Sequence, residues 1–333
     1  MRRLLKGLIL LISISIPLLL TSLTGIMAST RDFEVRPMRP DNQRENGRTY
    51  FDLLVTPGLE QQLIIEIRNV SENDMTVLVE MITASTDNNG EIDYFSRGMI
   101  DETLAFSFED LVSLEQNRYE IPAQSGVEVA IDLKIPDEVF EGVILGSINV
   151  VMEVEQAGRR DENTTNRPPT NVTAVTLVHD VNAEDIPADF ALGDITTKYV
   201  NNRPTTVAHI RNTQPKVILG ASATARIYSQ DGSEFVFEFE HSITNLGFAP
   251  NSVFQFAFSD DEGNDIEPGN YTAVIAIAYG GETWNFQQEF RVAAPGLALW
   301  MIIAIGAGGV ILIGTIVLII VRVRRGPRFP SDF

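Results

Sequence analysis

Short runs in which apolar and polar residues alternate recur along the chain from Phe33 to Val292. Val127–Leu133 places an apolar side chain at every second position, and Val253–Phe258 repeats the pattern with phenylalanine. Segments rich in Pro, Gly and Asn separate these runs. A period of two residues is typical of a strand with one buried face, because successive side chains point to opposite sides of a sheet. The pattern therefore predicts an all-β fold.

Two halves of this β region carry matching sequence features. Ile67-Arg68-Asn69 ends a predicted strand in the first half, and Ile210-Arg211-Asn212 does so in the second. Each is followed by a polar turn and another strand. Gly142 and Gly269 each precede a late strand. These features predict a tandem repeat of one β architecture.

We expect two immunoglobulin-like β-sandwich domains, at residues 29–157 and 172–294. Residues 158–171 between them are too polar to fill a core, so they form a linker or an exposed hairpin. In the second domain, Tyr271 stands near the start of a late strand, the position of a tyrosine corner.

Both ends of the chain carry apolar segments. Residues 1–28 pass from basic to apolar to small residues, which is typical of a secretory signal peptide; an uncleaved anchor is the alternative. Residues 295–321 contain no charge and are long enough for a transmembrane helix, and residues 322–333 form a basic tail. We therefore predict a single-pass protein of the cell membrane, with extracytoplasmic β domains and a cytoplasmic tail.

Acidic residues outnumber basic residues by 45 to 25, which gives a formal net charge of −20. An acidic surface repels phosphates, so nucleic acid is excluded as a partner. The acidity fits either a basic partner or simple solubility. The chain has no cysteine, so it contains no disulfide and no thiolate site. Two domains without disulfides fit a bacterial surface better than an animal secreted protein.

The first half is longer than the second between their matching features, and the extra residues form an insertion at 84–117. Asp87-Asn88-Asn89-Gly90 predicts the turn of a hairpin. Apolar residues then recur at helical spacing, at Leu104, Phe108, Leu111 and Leu114. They predict a helix from Asp101 to Gln116 with Asp101 as its cap. This insertion is either a recognition surface or a plug at one end of the sandwich.

Motifs of catalysis and metal binding are missing from the sequence. The three histidines, His179, His209 and His241, are far apart, and no nucleophile stands with a base. Acidic turns at Asp87–Asp93 and Asp260–Asp265 resemble calcium-binding turns, but neither has the spacing of the twelve-residue calcium loop. We expect solvated turns there, no enzymatic activity and no cofactor.

Several short pieces of the first half stand in a characteristic order. They are Pro40–Gln43, Tyr50–Leu53, Pro57-Gly58, Asn69, Ser85–Gly90 with Ile92 and Tyr94, and Ile135-Pro136 with Phe140, Gly142 and Ile144–Gly146. In these pieces the chain resembles the WxL-interacting proteins, cell-surface proteins of Gram-positive bacteria that are encoded with WxL proteins. The second half resembles the same family through Ile210–Asn212, Pro268, Gly269 and Tyr271.

The resemblance implies that the first domain binds peptidoglycan and that the second contacts host material. It also implies that WxL-domain surface proteins are partners. The candidate residues for binding a ligand or partner are Tyr50, Phe51, Asp52, Asp87, Asn88, Tyr94 and Phe95. The aromatic ones can stack on sugar rings or enter a partner's pocket. Alternation puts Tyr50 and Phe51 on opposite faces, so one of each neighbouring aromatic pair belongs to the core.

These features favour a non-enzymatic, membrane-anchored adaptor that binds peptidoglycan and a WxL-type protein. One alternative is an adhesin that binds a host matrix protein through the second domain. Its sequence basis is the aromatic runs Phe235–Phe239 and Phe254–Phe258, which equally fit a sandwich core. Another alternative is an assembly chaperone that lends a strand edge to a surface protein. An enzyme acting on the cell wall is the most remote reading.

Overall fold

The fold is all-β, as predicted. The computed structural model describes residues 32–45, 47–153, 168–179, 185–200, 203–231, 234–258, 266–292 and 313–320. Contacts divide the chain into two units. The larger comprises Met1–Ala191, Ile210–Gly220 and Leu246–Phe254, and the smaller comprises Leu192–His209, Ala221–Asn245 and Gln255–Phe333.

The first sandwich lies wholly in the larger unit. Its elements are β1 (Phe33–Met38), β2 (Phe51–Leu54), β3 (Glu60–Asn69), β4 (Met75–Thr83), β5 (Ser85–Thr86), β6 (Ile92–Asp93), α1 (Phe108–Leu111), β7 (Val112–Ser113), β8 (Arg118–Ile121), β9 (Gly126–Lys134), β10 (Val143–Met152) and β11 (Thr170–Val178). One sheet has the order β1-β3-β9-β7, and the other has the order β2-β11-β10-β4-β8. The hairpin β5-β6 forms a small separate sheet.

The second sandwich follows with longer strands. They are β12 (Phe190–Val200), β13 (Arg203–Asn212), β14 (Ile218–Asp231), β15 (Glu234–Phe248), β16 (Ser252–Phe258), β17 (Gly269–Tyr279) and β18 (Glu282–Val292). One sheet has the order β12-β13-β16, and the other has the order β15-β14-β17-β18. The Tyr271 hydroxyl donates a hydrogen bond to the Glu267 carbonyl at 3.0 Å, which confirms the predicted tyrosine corner.

Both sheets of the first sandwich contribute every second side chain along their strands to the core. Leu63, Ile65 and Ile67 of β3 are fully buried, and so are Ile148 and Val150 of β10. The residues between them along β3 are exposed or half-buried, which is the period-two pattern that the sequence predicts. Burial of these apolar side chains is the main source of stability for the sandwich.

The last strand of the first sandwich comes from beyond the polar segment. The predicted second domain begins at residue 172, but β11 pairs antiparallel with β10 and parallel with β2. Val175 and Leu177 of β11 are fully buried in the first core. Residues 154–167, which hold most of the predicted linker, lie outside the described residues.

The insertion at 84–117 is partly as expected. The predicted hairpin is confirmed, because β5 and β6 pair antiparallel around the turn at Asp87–Gly90. The predicted helix from Asp101 to Gln116 is wrong. Only α1 is helical, with Ser107 as its N-cap, because Phe108 and Leu111 are anchored in the core and the chain becomes extended at Val112.

The predicted location in the cell membrane needs correction. Within residues 295–321, the structure describes a helix at 313–320. No helix in the described part of the chain has both the length and the apolar character that crossing a membrane requires. This finding overturns the single-pass assignment. The predicted signal peptide at 1–28 and the basic tail at 322–333 lie outside the described residues.

Candidate binding surface of the first sandwich

Strand β2 separates the predicted site residues onto two faces of a sheet. Phe51 and Leu53 are fully buried and belong to the core. Tyr50 and Asp52 stand on the opposite face, away from the core. Tyr50 is half-buried, and Asp52 is only 4% exposed. Phe51 therefore stabilises the fold, and its aromatic ring is not accessible to a ligand.

The loop before β2 holds this strand in place. The Asn42 side-chain amide donates to the Leu54 carbonyl at 2.9 Å, and the Leu54 N–H donates to the Asn42 carbonyl at 3.0 Å. Gln43 bonds at both ends of its side-chain amide, donating to the Tyr50 carbonyl at 3.1 Å and accepting from the Asp52 N–H at 3.2 Å. These contacts give Asn42 and Gln43 a physical role in positioning Tyr50.

Two arginines surround the buried carboxylate of Asp52. Arg44 Nη1 lies 3.3 Å from Asp52 Oδ1, and Arg48 Nε lies 3.3 Å from Asp52 Oδ2. Arg48 also donates to the Tyr50 hydroxyl, and its guanidinium carbon lies 5.3 Å from the centre of the Tyr50 ring. The hydrogen bonds that Arg48 donates to Glu45 and to Tyr50 raise the pKa of its guanidinium. The aromatic ring is thus fixed beside a permanent positive charge.

The loop after β6 brings the other aromatic residues to the same sheet face. The Asp93 carboxylate accepts from the N–H of Phe95 at 2.7 Å and from Ser96, which closes a tight turn. The Tyr94 carbonyl accepts from Ser147 Oγ at 2.7 Å and from Asn149 Nδ2 at 2.8 Å. Ser147 and Asn149 lie on the outer face of β10, so the turn is anchored directly to the sheet.

Tyr94 is half-buried against an apolar cluster on the outer face of the sheet, which includes Val143, Leu145 and Val178. Burial raises the pKa of Tyr94, and the nearby Tyr50 hydroxyl raises it further. Phe95, next along the turn, is 51% exposed. We call the set Tyr50, Asp52, Tyr94 and Phe95, with their supports Arg48, Ser147 and Asn149, the tyrosine surface. It combines aromatic rings with a cation and a buried carboxylate, a combination suited to polar ligands that carry sugar rings.

The tyrosine surface includes three residues that are not among the predicted site residues. Arg48 lies two residues before Tyr50 and shows no pattern of its own. Ser147 and Asn149 are polar residues in the middle of a long apolar strand, and this interruption was a usable signal. Both are fully or almost fully buried, at 0% and 1% exposure. Asn149 Oδ1 has no hydrogen-bond partner among the described residues.

Asp87 and Asn88, two further predicted site residues, lie at the tip of the β5-β6 hairpin. Asp87 Oδ1 accepts from the N–H groups of Asn89 and Glu91, each at 2.9 Å. These bonds close the turn on itself, while Asn88 is exposed. Gly90 has a φ of +74°, and its carbonyl accepts from the Gly247 N–H at 2.7 Å within the same unit. Asp87 therefore shapes the hairpin.

Of the two calcium candidates, the structure describes one, the acidic turn at Asp87–Asp93. In the residues that the structure describes, no group of three or more His, Cys, Asp or Glu side chains could hold a metal ion. The second candidate, Asp260–Asp265, lies outside them. A cavity of about 200 Å³ in the larger unit is lined by Thr103, Phe106, Phe140, Pro215 and Asn251 among others. None of the predicted site residues lines it.

Comparison with known protein families gives two adjacent matches. The model of the WxL Interacting Protein peptidoglycan binding domain matches residues 33–152. The model of the WxL Interacting Protein host binding domain matches residues 170–297. The boundary between the two matches falls before β11, although that strand completes the first sandwich. No curated protein matches the chain.

Solved structures show distant likeness. The Pseudomonas aeruginosa CupB2 chaperone shares 13% identity over 72% of this chain and 97% of its own, with a TM-score of 0.27. The YadV chaperone shares 8% identity over 78% of this chain and 100% of its own, with a TM-score of 0.31. The PapD-like domain 7 of human CEP192 shares 11% identity over 45% of this chain and 86% of its own, with a TM-score of 0.28. These TM-scores are too low to support an argument about function.

The family matches cover both sandwiches, and each is a match to a binding domain. The resemblance seen in the sequence is therefore confirmed, and the chain belongs to the family of WxL-interacting proteins.

Proposed function

We propose that the chain is a non-enzymatic cell-surface protein whose first sandwich binds peptidoglycan at the tyrosine surface. The observation that carries this proposal is the anchoring of the Tyr94 carbonyl by Ser147 and Asn149, which fixes two aromatic turn residues on the sheet face that carries Tyr50. The family match to a peptidoglycan binding domain over residues 33–152 supports the choice of ligand.

The chemistry of peptidoglycan fits the groups on this surface. Its sugar rings have apolar faces that stack on aromatic side chains such as Phe95 and Tyr50. Its peptide stems end in carboxylates, and the Arg48 guanidinium, although paired with Asp52 and Glu45, keeps 38% of its side chain exposed to meet one. The buried Asn149 Oδ1, whose amide nitrogen holds the turn, has no hydrogen-bond partner among the described residues and can accept a hydrogen bond from a ligand hydroxyl or amide.

Retention on purified peptidoglycan tests the assignment. We would use the full chain, because the first sandwich needs β11 to be complete. Phe95→Ala and Tyr50→Ala should each reduce retention about tenfold, the effect of losing one stacked ring. Phe237→Ala is the matched control, because Phe237 is similarly exposed, at 54%, but lies in the second sandwich. Equal retention of all four proteins would refute the tyrosine surface as the site.

We also propose that a WxL-domain surface protein is a partner, as the name of the family implies. The strongly acidic chain, with a net charge of −20, would favour a partner with a basic face. Co-purification of the full chain with a WxL-domain protein from the same cell tests this at two salt concentrations. Failure to co-purify at low salt would refute the partnership.

A second candidate function is adhesion to host matrix through the second sandwich. Four phenylalanines of the aromatic runs belong to the core, since Phe239, Phe254, Phe256 and Phe258 are buried. Val236 and Phe237 of β15 are instead exposed, at 49% and 54%. The match to a host binding domain favours this reading. Binding of the full chain to immobilised matrix proteins should weaken with Phe237→Ser, and unchanged binding would argue against it.

A further inference from the structure

The two sandwiches are repeats of one topology, and this equivalence extends to the register of their strands. The sheet order β8-β4-β10-β11 of the first matches β15-β14-β17-β18 of the second. Aligning Gly142 with Gly269 matches Ile148 of β10 with Ile275 of β17, and both are fully buried. Strand β18 is therefore the counterpart of β11.

The antiparallel registers make this correspondence specific to residues. Val175 of β11 is opposite Gly146 of β10, and Gln288 of β18 is opposite Ala273 of β17. With the alignment above, Val175 corresponds to Gln288. In the same way, Thr176, Leu177 and Val178 correspond to Glu289, Phe290 and Arg291.

In the first sandwich, one edge of β11 pairs with β10, and its other edge pairs with the parallel strand β2. The register of β2 on β11 pairs Phe51 with Val175, Asp52 with Thr176, Leu53 with Leu177 and Leu54 with Val178. Phe51 and Leu53 point into the core and are fully buried. Val175 and Leu177, the inward residues of β11 that pair with β2, are fully buried.

In the second sandwich, β18 is the last strand of its sheet, and no strand among the described residues pairs with its other side. Its inward side chains are correspondingly less covered. Phe286 and Gln288 are half-buried, whereas their counterparts Thr173 and Val175 are buried. An unpaired strand edge whose inward side chains are partly uncovered is a template for adding a further strand.

We propose that β18 accepts an extended segment of a protein partner as a parallel strand, in the position that β2 occupies on β11. The added strand carries apolar side chains beside Gln288 and Phe290, which enter the core as Phe51 and Leu53 do. The residue beside the exposed Glu289 is basic and the residue beside the exposed Arg291 is acidic, because cross-strand neighbours of opposite charge stabilise a pair. The partner segment thus reads apolar, basic, apolar, acidic.

This inference deepens the protein-binding role proposed for the second sandwich, but its test uses neither peptidoglycan nor host matrix. A synthetic peptide of residues 48–57 supplies the probe, with Asp52→Lys and Leu54→Glu to match the charges of β18. A control peptide carries Phe51→Ser and Leu53→Ser in addition. Binding of the fluorescent peptides to the full chain is followed by anisotropy.

Charge reversal tests the register. Glu289→Lys with Arg291→Glu in the protein should weaken the probe peptide about fivefold, and a peptide with the two charges exchanged should recover that loss. Both residues are exposed, so folding is not at risk, and circular dichroism confirms it. No dependence on either charge or on the two apolar residues would overturn the proposal.

Disulfide trapping tests the position and direction of the added strand. The chain has no cysteine, so an introduced thiol is unique. A probe peptide with cysteine at position 52 should cross-link to Glu289→Cys, because paired strands bring Cα atoms within disulfide range. It should not cross-link to Thr283→Cys, which is exposed on the same strand but about 20 Å away. Equal cross-linking at both positions, or a β18-mediated dimer of the chain in place of peptide binding, would refute the proposal.

Discussion

Asn69 and Asn212 make three corresponding hydrogen bonds in the two sandwiches. Each is fully buried, and each Nδ2 donates to the carbonyl four residues on, of Asn73 at 2.8 Å and of Lys216 at 2.9 Å. Each Nδ2 also donates to the carbonyl before a proline, of Ile121 at 3.1 Å and of Ala249 at 2.8 Å. Each Oδ1 accepts from the N–H two residues on. The amide thus ties two loops together in both repeats.

Replacement of either asparagine should be strongly destabilising. Asn69→Ala leaves buried carbonyls without their donor, and we expect a loss of about 2 kcal/mol in the free energy of unfolding. Asn212→Ala should cost a similar amount. Asn73→Ala is the control, since Asn73 is exposed and contributes its backbone carbonyl. Urea unfolding measures all three, and a neutral Asn69→Ala would refute the structural role.

Asp101 and Arg211 form an ion pair that should make stability depend on acid pH. The Asp101 side chain is 1% exposed, and Arg211 Nη2 donates to its Oδ1 at 3.0 Å. Burial acts to raise the pKa of Asp101, but hydrogen bonds from Arg211 and Thr103 outweigh it, so the net pKa is lowered. A lowered folded-state pKa stabilises above the unfolded value, and this contribution is lost as pH falls through the folded pKa.

The measurement compares the unfolding free energies of the wild type and Asp101→Asn as pH is lowered. At neutral pH the variant should be about 3 kcal/mol less stable, because Arg211 loses its buried partner. The difference should shrink below about pH 4, where aspartate ordinarily protonates. Arg226→Ala, which removes an exposed pair with Glu240, is the control and should change stability little. A difference that is constant with pH would contradict the assignment.

Alanine substitutions at two glycines with positive φ distinguish the stability lost through a steric clash from the stability lost through an unfavourable backbone conformation. Gly90 has a φ of +74° and Gly280 a φ of +62°. A Cβ at Gly90 would overlap the Leu246 side chain, whereas a Cβ at Gly280 would have nothing within 4 Å. Gly280→Ala should cost about 1 kcal/mol for its backbone conformation, and Gly90→Ala about 2 kcal/mol more from the clash. Equal losses on thermal unfolding would show that Leu246 moves aside freely.

The anchors of the aromatic turn can be tested apart from the aromatic rings. The double variant Ser147→Ala with Asn149→Ala removes both donors to the Tyr94 carbonyl. We expect faster hydrogen exchange at residues 92–97 and weaker retention on peptidoglycan, because the turn loses its fixed position. Thr176→Ala, on the same sheet face, is the control. Unchanged exchange in the double variant would contradict the anchoring role.

Local patterns predicted the features that local forces decide. The Asp87–Gly90 turn and the paired Ile-Arg-Asn segments were both visible in the sequence, since each acts over a few residues. The helix prediction failed because only two of the four regularly spaced apolar residues, Phe108 and Leu111, lie in a helix. Leu104 and Leu114 have the same spacing but lie outside it. Asp101, predicted as a helix cap, instead pairs with Arg211, 110 residues away. The place of β11 was also missed, because its partners β10 and β2 lie on the far side of a polar segment.

The position of β11 also sets an order of events during synthesis. Most strands of the first sandwich precede Met152, but β2 has no strand to pair with until Thr170–Val178 has been made. The first sandwich therefore cannot complete its second sheet when synthesis has reached Met152, the end of β10. Until the polar residues between β10 and β11 and then β11 itself have been synthesised, Phe51 and Leu53 lack the strand that covers them. Any fragment that ends before Val178 would remain in this unfinished state and be prone to aggregate.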